Sequence, residues 1–388
     1  RQRQMCIRDS YKPWVEKYLG GKNPETTEEL YNFLKMVKED DANGNGIDDE
    51  IPMTGFIGGW ASDPTVWMMN SFTQCVNPLS NTNPTVAGGL VVNNGKIEYA
   101  VMKDEYRDGL RYMHKLFEEG LLDNQTFLQD NTQFSATMDA SEGNKVAVYA
   151  NGGVENSEFW QQVDGEWQNW EILAPVAGPD GVRYSGRCIQ TYFEGCLGVV
   201  SSTCKYPEIV VALFDFMASE DAAHHIGGGP EGIAWKYTDE GVSLSGGTPA
   251  YEQITVPEDF DYVKEGGLPK AYANYRYTPD AMIQRGSAEY RGGLKIEDPS
   301  HSTEYWFQQC AELYSQYAPD VDTLVPNLSF EGEDARIVTE GTLTIGGYVN
   351  QALVQFIDGS LDIEKDWDAY IENCLLYTSP SPRDGLLS

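Results

Sequence analysis

The chain has 388 residues, and its 60 Asp and Glu residues against 27 Lys and Arg residues give a formal net charge of −33. Such an acidic surface argues against binding to nucleic acids or to anionic membranes, because both carry charge of the same sign. The length suggests about two domains, and no apolar run in the sequence is long enough for a transmembrane helix.

The two ends of the chain are related at the level of DNA. If residues 5–9 (MCIRD) are back-translated as ATG-TGT-ATA-AGA-GAC, the reverse complement, read in a shifted frame, supplies residues 374–378 (CLLYT) except for the first base of the Cys codon. Inverted elements of this kind resemble the transposase adapters used to prepare sequencing libraries. We therefore expect residues 1–10 and 374–388 to be adapter-derived rather than native.

Between these ends, helices and short strands alternate, which is typical of an α/β protein. Thr26 and Glu29 form a capping box at the start of a helix, and Leu30, Phe33 and Val37 lie on its apolar face together with Leu34. Further strands are predicted at residues 51–56, 90–99 (a hairpin with an Asn-Gly turn), 145–149, 170–175 and 189–200, and further helices at 64–72, 105–119, 132–141, 207–218, around 281, 303–317, 331–359 and 363–372.

Oxygen-bearing side chains recur at alternate positions of the loop at residues 41–52 (DANGNGIDDEIP), with Gly46 where such a loop turns sharply. A short loop wraps a hard cation such as calcium in this way. Pro52 stands where an EF-hand has its closing glutamate, so Glu50 has to supply that carboxylate. The alternative is an ordinary turn rich in Asn and Gly. The predicted calcium ligands are Asp41, Asn43, Asn45, Asp49 and Glu50 and the backbone carbonyl of Ile47.

Several short motifs occur in a recognisable order over nearly all of residues 11–373. They are WVEKYLG (14–20), PETTEEL (24–30), DANGNGIDDEIP (41–52), GPDG (178–181), YPE (206–208), GPEGIAW (229–235) and DWDAY (366–370). Together they resemble extracellular solute-binding proteins of family 1, the ligand-capturing subunits of ABC importers. The loop block resembles the oligosaccharide and lipoprotein subgroup that includes alginate-binding proteins, in which this block binds calcium.

The resemblance implies a two-lobed α/β fold of the periplasmic-binding-protein type (type II), with the ligand between the lobes. By this similarity, residues 11–180 form the first segment of lobe 2 and contain the calcium loop, residues 185–262 form part of lobe 1, and residues 263–373 form the mostly helical second segment of lobe 2. We expect the first part of lobe 1 to lie upstream of Tyr11. A sheet without its first strands leaves edges unpaired, so we expect this chain to aggregate when expressed alone.

The function implied by the resemblance is non-catalytic. An extracellular, lipid-anchored protein would capture an oligosaccharide by closure of a hinge and present it to a membrane permease, with calcium in a structural role. One alternative is a calcium-stabilised enzyme that acts on glycans, because carboxylates are abundant and glycoside hydrolysis requires two of them. The other is a glycan-adhesion or dockerin-like module, although dockerins have two tandem calcium loops and this sequence has one.

Aromatic and amide side chains near predicted strand ends are the candidate ligand contacts. Ligands of open α/β sheets lie off the carboxyl ends of the strands, and aromatic rings offer contact area at low entropic cost. Packing in the core is the alternative role for each of them. The candidates are Trp60, Trp67, Asn151, Tyr192, Phe193 and Trp235. His224 and His225 are predicted to be a surface pair at a helix end, because adjacent residues do not share a helical face.

Overall fold

The computed structural model describes residues 7–59, 62–75, 89–139, 143–151, 166–185, 199–217, 219, 224, 231–254, 292–296, 303–325 and 330–378. The chain divides into two compact units: the larger unit takes residues 4–190 and 309–388, and the smaller unit takes residues 191–308. The lobe boundaries expected from the sequence, at residues 180–185 and 262–263, stay predictions.

The larger unit begins with alternating strands and helices. In chain order these are β1 (Ile7–Tyr11), α1 (Lys12–Leu19), α2 (Thr27–Glu39), β2 (Ile51–Thr54), α3 (Pro64–Met69), β3 (Leu90–Asn93), β4 (Lys96–Tyr99), α4 (Asp104–Glu118), α5 (Asn131–Thr137), β5 (Val146–Asn151) and β6 (Trp170–Ile172).

The rest of the described chain starts with the smaller unit, which holds α6 (Pro207–Met217), β7 (Trp235–Tyr237), β8 (Val242–Ser243), β9 (Tyr251–Gln253) and β10 (Lys295–Ile296). After these elements the chain forms α7 (Thr303–Ser315), which crosses from the smaller to the larger unit, and then α8 (Gly332–Asp358) and α9 (Trp367–Thr378) of the larger unit. Within the described ranges, no helix combines the length and the apolar composition needed to cross a membrane.

Four strands of the larger unit form one sheet in the order β2-β5-β1-β6. β2 and β5 are parallel, with Ile51 opposite Val146 and Thr54 opposite Tyr149, whereas β1 is antiparallel to β5 and to β6. Every residue of β5 is buried. Val148 belongs to the cluster that includes α2 and α4, and Tyr149 to the cluster of Phe134 and Trp170. Because successive side chains of a strand point to opposite faces, both faces of β5 are covered by core.

The predicted start of α2 is confirmed. Thr26 Oγ1 accepts a hydrogen bond from Glu29 N at 3.1 Å, and the Glu29 carboxylate accepts one from Thr26 N at 3.2 Å. This reciprocal pair satisfies backbone donors that the first turn of a helix leaves free. The apolar face is buried as expected, since Leu30, Phe33, Leu34 and Val37 are each 0% exposed.

The predicted Asn-Gly hairpin is confirmed as well. β3 and β4 pair with Asn93 opposite Lys96, and the φ angles of Asn94 and Gly95 are 50° and 75°. Two positive φ angles are what a two-residue type I′ turn requires. The strand predicted at residues 189–200 and the helix predicted around residue 281 lie mostly or wholly outside the described residues, and Val199 and Val200 at the end of the former are not in a strand.

Both terminal segments that the sequence analysis set apart take part in this fold. Residues 7–10 form most of β1, which lies between β5 and β6, and α9 continues through residues 374–378. Leaving these residues out of the fold was therefore wrong for this structure. Their adapter origin stays a prediction.

Asp9 lies in the middle of the sheet and is 0% exposed. Its Oδ2 accepts a hydrogen bond from Tyr149 Oη at 2.8 Å, while Oδ1 has no partner among the described residues. Burial raises the pKa of Asp9 well above its ordinary value; the Tyr149 hydrogen bond opposes this rise and the charge of Glu171 adds to it. The folded state therefore binds the proton of Asp9 more tightly than the unfolded chain does, and the ionised group destabilises the fold at neutral pH.

We predict that Asp9→Asn raises the free energy of unfolding at pH 7 by about 1–2 kcal/mol, because the amide keeps an acceptor for Tyr149 and removes the buried charge. The gap between variant and wild type should widen as pH rises from about 4, the ordinary pKa of an aspartate. Urea unfolding at several pH values measures both quantities. A variant that is less stable than wild type at pH 7 would contradict this reading.

The helix α6 presents apolar side chains to solvent. Ile209, Leu213 and Phe216 are 62%, 51% and 48% exposed, and their spacing puts them on one helical face. No residue of α6 is buried. Exposed apolar area of this kind favours association, which is the physical basis for the expected tendency to aggregate.

Candidate functional site

A pocket of about 490 Å³ lies at the carboxyl ends of β2 and β5. Because these strands are parallel, the loop that follows β2 and the last residue of β5 reach the same edge of the sheet. The turn before α5 completes the wall. The described lining residues are Phe56, Ile57, Gly58, Gly59, Gln129, Asp130, Asn131 and Asn151. All of them belong to the larger unit.

The loop after β2 is held in shape by hydrogen bonds to Ser62. Phe56 N donates to Ser62 O at 2.9 Å, and Ser62 Oγ donates to Phe56 O at 2.7 Å. A Cβ added to Gly59 would lie 2.2 Å from Phe56 Cζ and 2.5 Å from Ser62 Oγ. A side chain at this position would therefore require the Phe56 ring and the Ser62 hydroxyl to move.

A buried polar chain fixes Gln129 against the same loop. Gln129 is 6% exposed, and its Nε2 donates to Gly55 O at 2.6 Å and to Thr54 Oγ1 at 3.1 Å. Thr54 Oγ1 in turn donates to Asp123 Oδ2 at 2.8 Å. Both amide protons of Gln129 are thus engaged, and among the described residues its Oε1 accepts no hydrogen bond. That oxygen is available as an acceptor in the pocket wall.

Asp130 begins α5 with a capping box. Its Oδ1 accepts a hydrogen bond from Gln133 N at 2.9 Å, and Asp130 N donates to Gln133 Oε1 at 3.0 Å. The Asp130 side chain is exposed, and so is that of Asn131. In the part of the chain that the structure describes, Asp130 Oδ2 has no hydrogen-bond partner, so a second carboxylate oxygen is available to a ligand.

Of the predicted ligand contacts that the structure describes, Asn151 is the one that lines this pocket. It is the last residue of β5, opposite Ile7 of β1, and is 2% exposed. Trp60, Tyr192 and Phe193 lie outside the described residues, so their predicted roles remain open.

The structure corrects the expectation for the two other tryptophans. Trp67 is 3% exposed and belongs to the main cluster of the larger unit, while Trp235 is 1% exposed and packs with Tyr251 and Leu294 in the smaller unit. A stacking platform needs an accessible ring face, and neither ring offers one here. His224 was also wrongly predicted to lie at the surface: it is 1% exposed and stacks on Trp235 with ring centroids 4.8 Å apart.

Sequence reasoning missed Phe56, Gln129, Asp130 and Asn131 as pocket residues. A usable signal was present, because Asp130 followed three residues later by Gln133 is a capping-box pattern. It places the helix start at residue 131, one position before the predicted start, and directs attention to the residues just before the helix.

The loop proposed to bind calcium is compact, and its side chains converge. Asn45 N lies 3.0 Å from Asp41 Oδ1 and 3.0 Å from Asn43 Oδ1, and Gly46 N donates to Asp41 Oδ2 at 2.8 Å. Glu50 is 7% exposed and its Oε1 accepts a hydrogen bond from Asn43 N at 3.1 Å. The oxygen-rich donor set therefore fits a hard cation in its chemistry.

Asp49 and Ile47 complete this loop. Asn43 Nδ2 donates to Asp49 Oδ1 at 3.0 Å, and Lys145 Nζ lies 3.0 Å from Asp49 Oδ2. The Lys145 ammonium is the main cause that lowers the pKa of Asp49 below its ordinary value. Ile47 is 60% exposed, as suits a residue that contributes only its backbone carbonyl. Within the described ranges, no three His, Cys, Asp or Glu side chains are grouped closely enough to hold a metal ion.

No protein-family model matches the chain. By sequence it is 29% identical over 204 residues to the fructooligosaccharide ABC transporter substrate-binding protein FusA of Streptococcus pneumoniae, a match that covers 53% of this chain and 34% of FusA. It is 24% identical over 238 residues to the polygalacturonan/rhamnogalacturonan-binding protein YtcQ of Bacillus subtilis, which covers 57% of this chain and 41% of YtcQ. The matched segments thus span less than half the length of these relatives.

By structure, the chain is similar to an EF-hand mutant of S. pneumoniae FusA solved in complex with fructo-nystose. The TM-score is 0.66 at 21% identity, over 97% of this chain and 70% of that chain. The chain has the fold of a two-lobed solute-binding protein. The α/β fold class expected from the sequence is thereby confirmed, and the name of this structure indicates that FusA contains an EF-hand. In α/β folds ligands bind off the carboxyl ends of strands, where the pocket of this solute-binding-protein fold lies.

The buried chain that holds Gln129 gives a testable expectation. Thr54→Val keeps the shape of the side chain but removes the hydroxyl that joins Asp123 to Gln129, so we expect a loss of about 1 kcal/mol of stability in urea unfolding. Thr339→Val is the control, since Thr339 is exposed on α8 and bonds only within its own helix. An equal effect of the two substitutions would contradict the importance of the chain.

Proposed function

We propose that this chain is part of the extracellular solute-binding subunit of an ABC importer and that it binds an oligosaccharide in the pocket at the ends of β2 and β5. The observation that carries the proposal is the combination of amide, carboxylate and aromatic groups on that pocket. Sugar hydroxyls both donate and accept hydrogen bonds, and Gln, Asn and Asp side chains supply the matching groups. Phe56 adds an apolar surface between them.

Binding without turnover is favoured over glycoside hydrolysis by the number of acids. Hydrolysis uses two carboxyl groups that flank the scissile bond, whereas the described lining residues include one, that of Asp130. The names of FusA and YtcQ point the same way, because both are binding proteins. Those names also leave the charge of the ligand open, since fructooligosaccharides are neutral and polygalacturonan is acidic.

The proposed cycle is capture and presentation. Closure of the two lobes around the oligosaccharide would bury it, and the closed form would be recognised by permease subunits in the membrane. A lipid anchor would keep the protein at the outer surface of the cell. These elements rest on the resemblance to importer subunits and on the fold.

We also propose a structural calcium ion in the loop between α2 and β2. Asp41, Asn43, Asn45, Asp49 and Glu50 would hold the ion, together with the carbonyl of Ile47. Calcium would supply positive charge in a loop that carries several acidic side chains, and would fix the end of α2 to the start of β2. The support is the convergent donor geometry of the loop and the EF-hand of the structural relative.

Calcium is expected to raise the melting temperature, because a ligand that binds only the folded state adds about 2.7 kcal/mol at a hundred times its Kd. Asp41→Asn should remove most of this shift. The matched control is Asp48→Asn in the same loop, where the carboxylate is not a predicted ligand, and this variant should keep the shift. Differential scanning fluorimetry with calcium and with EGTA measures it. Equal responses of the two variants would refute the ligand assignment.

The binding function is tested by isothermal titration calorimetry with a panel of oligosaccharides, alongside product analysis of the same mixtures. Gln129→Ala should weaken binding of any ligand found by about 5- to 10-fold, the effect of one lost hydrogen bond. Gln125→Ala is the control, because Gln125 is exposed and lies outside the pocket lining. Hydrolysis of a panel member would overturn the non-catalytic assignment.

A further inference from the structure

Two of the four polar side chains that line the pocket, Gln129 and Asp130, offer acceptor oxygens with no hydrogen-bond partner among the described residues. Gln129 uses both of its amide protons on Thr54 and Gly55, and its Oε1 accepts no hydrogen bond from the described residues. Asp130 uses Oδ1 to cap α5, which leaves Oδ2. Asn131 and Asn151 differ from them, since an amide can donate as well as accept. Acceptors of this kind bind hydroxyl groups, which donate, and do not bind a carboxylate, which only accepts.

The charge on the described lining residues of the pocket is negative. Asp130 is the charged side chain among the described lining residues, and none of those residues is Lys, Arg or His. Lys145 precedes the opposite end of β5 and is paired with Asp49 at 3.0 Å. At the rise of a β-strand it lies about 20 Å along β5 from Asn151. Among the described lining residues, a ligand carboxylate in the pocket would therefore meet a like charge and no cation.

From these two observations we infer that the pocket selects neutral oligosaccharides over those that contain uronic acids, and that Asp130 is the specificity-determining residue. The inference rests on the proposed function. Asp130 acts in two ways: Oδ2 accepts hydrogen bonds from sugar hydroxyls, and its charge repels a ligand carboxylate. Repulsion between two like charges in one site is a general means of excluding a wrong ligand.

The test compares neutral oligosaccharides with uronate oligosaccharides of the same linkage and length, for example galactotriose with trigalacturonate, over several backbones by calorimetry. Wild type should bind at least one neutral member about tenfold or more tightly than its uronate counterpart. Because repulsion between exposed charges is screened by salt, this ratio should shrink as sodium chloride is raised.

Asp130→Asn is the decisive variant, because asparagine is as good a helix N-cap as aspartate and the fold is therefore retained. It should reduce the ratio to about threefold or less by strengthening uronate binding, since one like charge has been removed. Asp104→Asn is the control for the overall negative charge: Asp104 is exposed in the first turn of α4, outside the pocket lining, and its substitution should leave the ratio unchanged.

The outcomes separate this inference from the proposed function. Equal or tighter binding of the uronate members, or an unchanged ratio in Asp130→Asn, overturns the inference while oligosaccharide binding stands. A lack of binding to every oligosaccharide of either kind overturns the proposed function, and the inference with it.

Discussion

The parallel pairing of β2 with β5 is the constraint on which the candidate site depends. Parallel strands put their carboxyl ends at the same edge of a sheet, and here that edge receives the loop after Thr54 and the end of β5 at Asn151. The two segments are far apart in the sequence. Asp123 N donates to Met53 O at 2.8 Å, which brings the third segment, Gln129–Asn131, to the same place. The pocket is thus a consequence of strand direction and of one buried polar chain.

The other end of the same strand pair is held by the loop proposed to bind calcium. Ile51 N donates to Lys145 O at 2.7 Å, and Lys145 Nζ lies 3.0 Å from Asp49 Oδ2. The loop therefore lies at the amino ends of β2 and β5, and the pocket lies at their carboxyl ends. This separation suits a structural role for the cation, which would stabilise the strand pair without touching the ligand.

Local patterns along the sequence predicted the elements well. The capping box at Thr26 and Glu29 and the Asn-Gly turn of the β3–β4 hairpin each depend on residues that are close together in the sequence. The structure contains both. The converging loop at residues 41–50 also follows from its own residues. In each of these cases the interactions that decide the structure are short in sequence and independent of the rest of the fold.

The environment of single aromatic side chains could not be predicted in the same way. Trp67, Trp235 and His224 are buried because distant segments pack on them, and the residue type alone does not distinguish a core ring from a stacking platform. Gln129 was not predicted to line the pocket for a similar reason, since its position depends on hydrogen bonds to Thr54 and Gly55, which are distant in the sequence. Asp9 was set apart because of the DNA pattern at the chain ends, yet it lies in the central sheet.

Hydrogen–deuterium exchange with a saturating oligosaccharide tests most directly whether the pocket at the ends of β2 and β5 is the ligand site. Bound sugar should slow exchange of the backbone amides at residues 55–59 and 129–133, and should leave the loop at residues 41–50 unchanged. Protection confined to other segments, with both pocket loops exchanging as in the free protein, would contradict the assignment of this site.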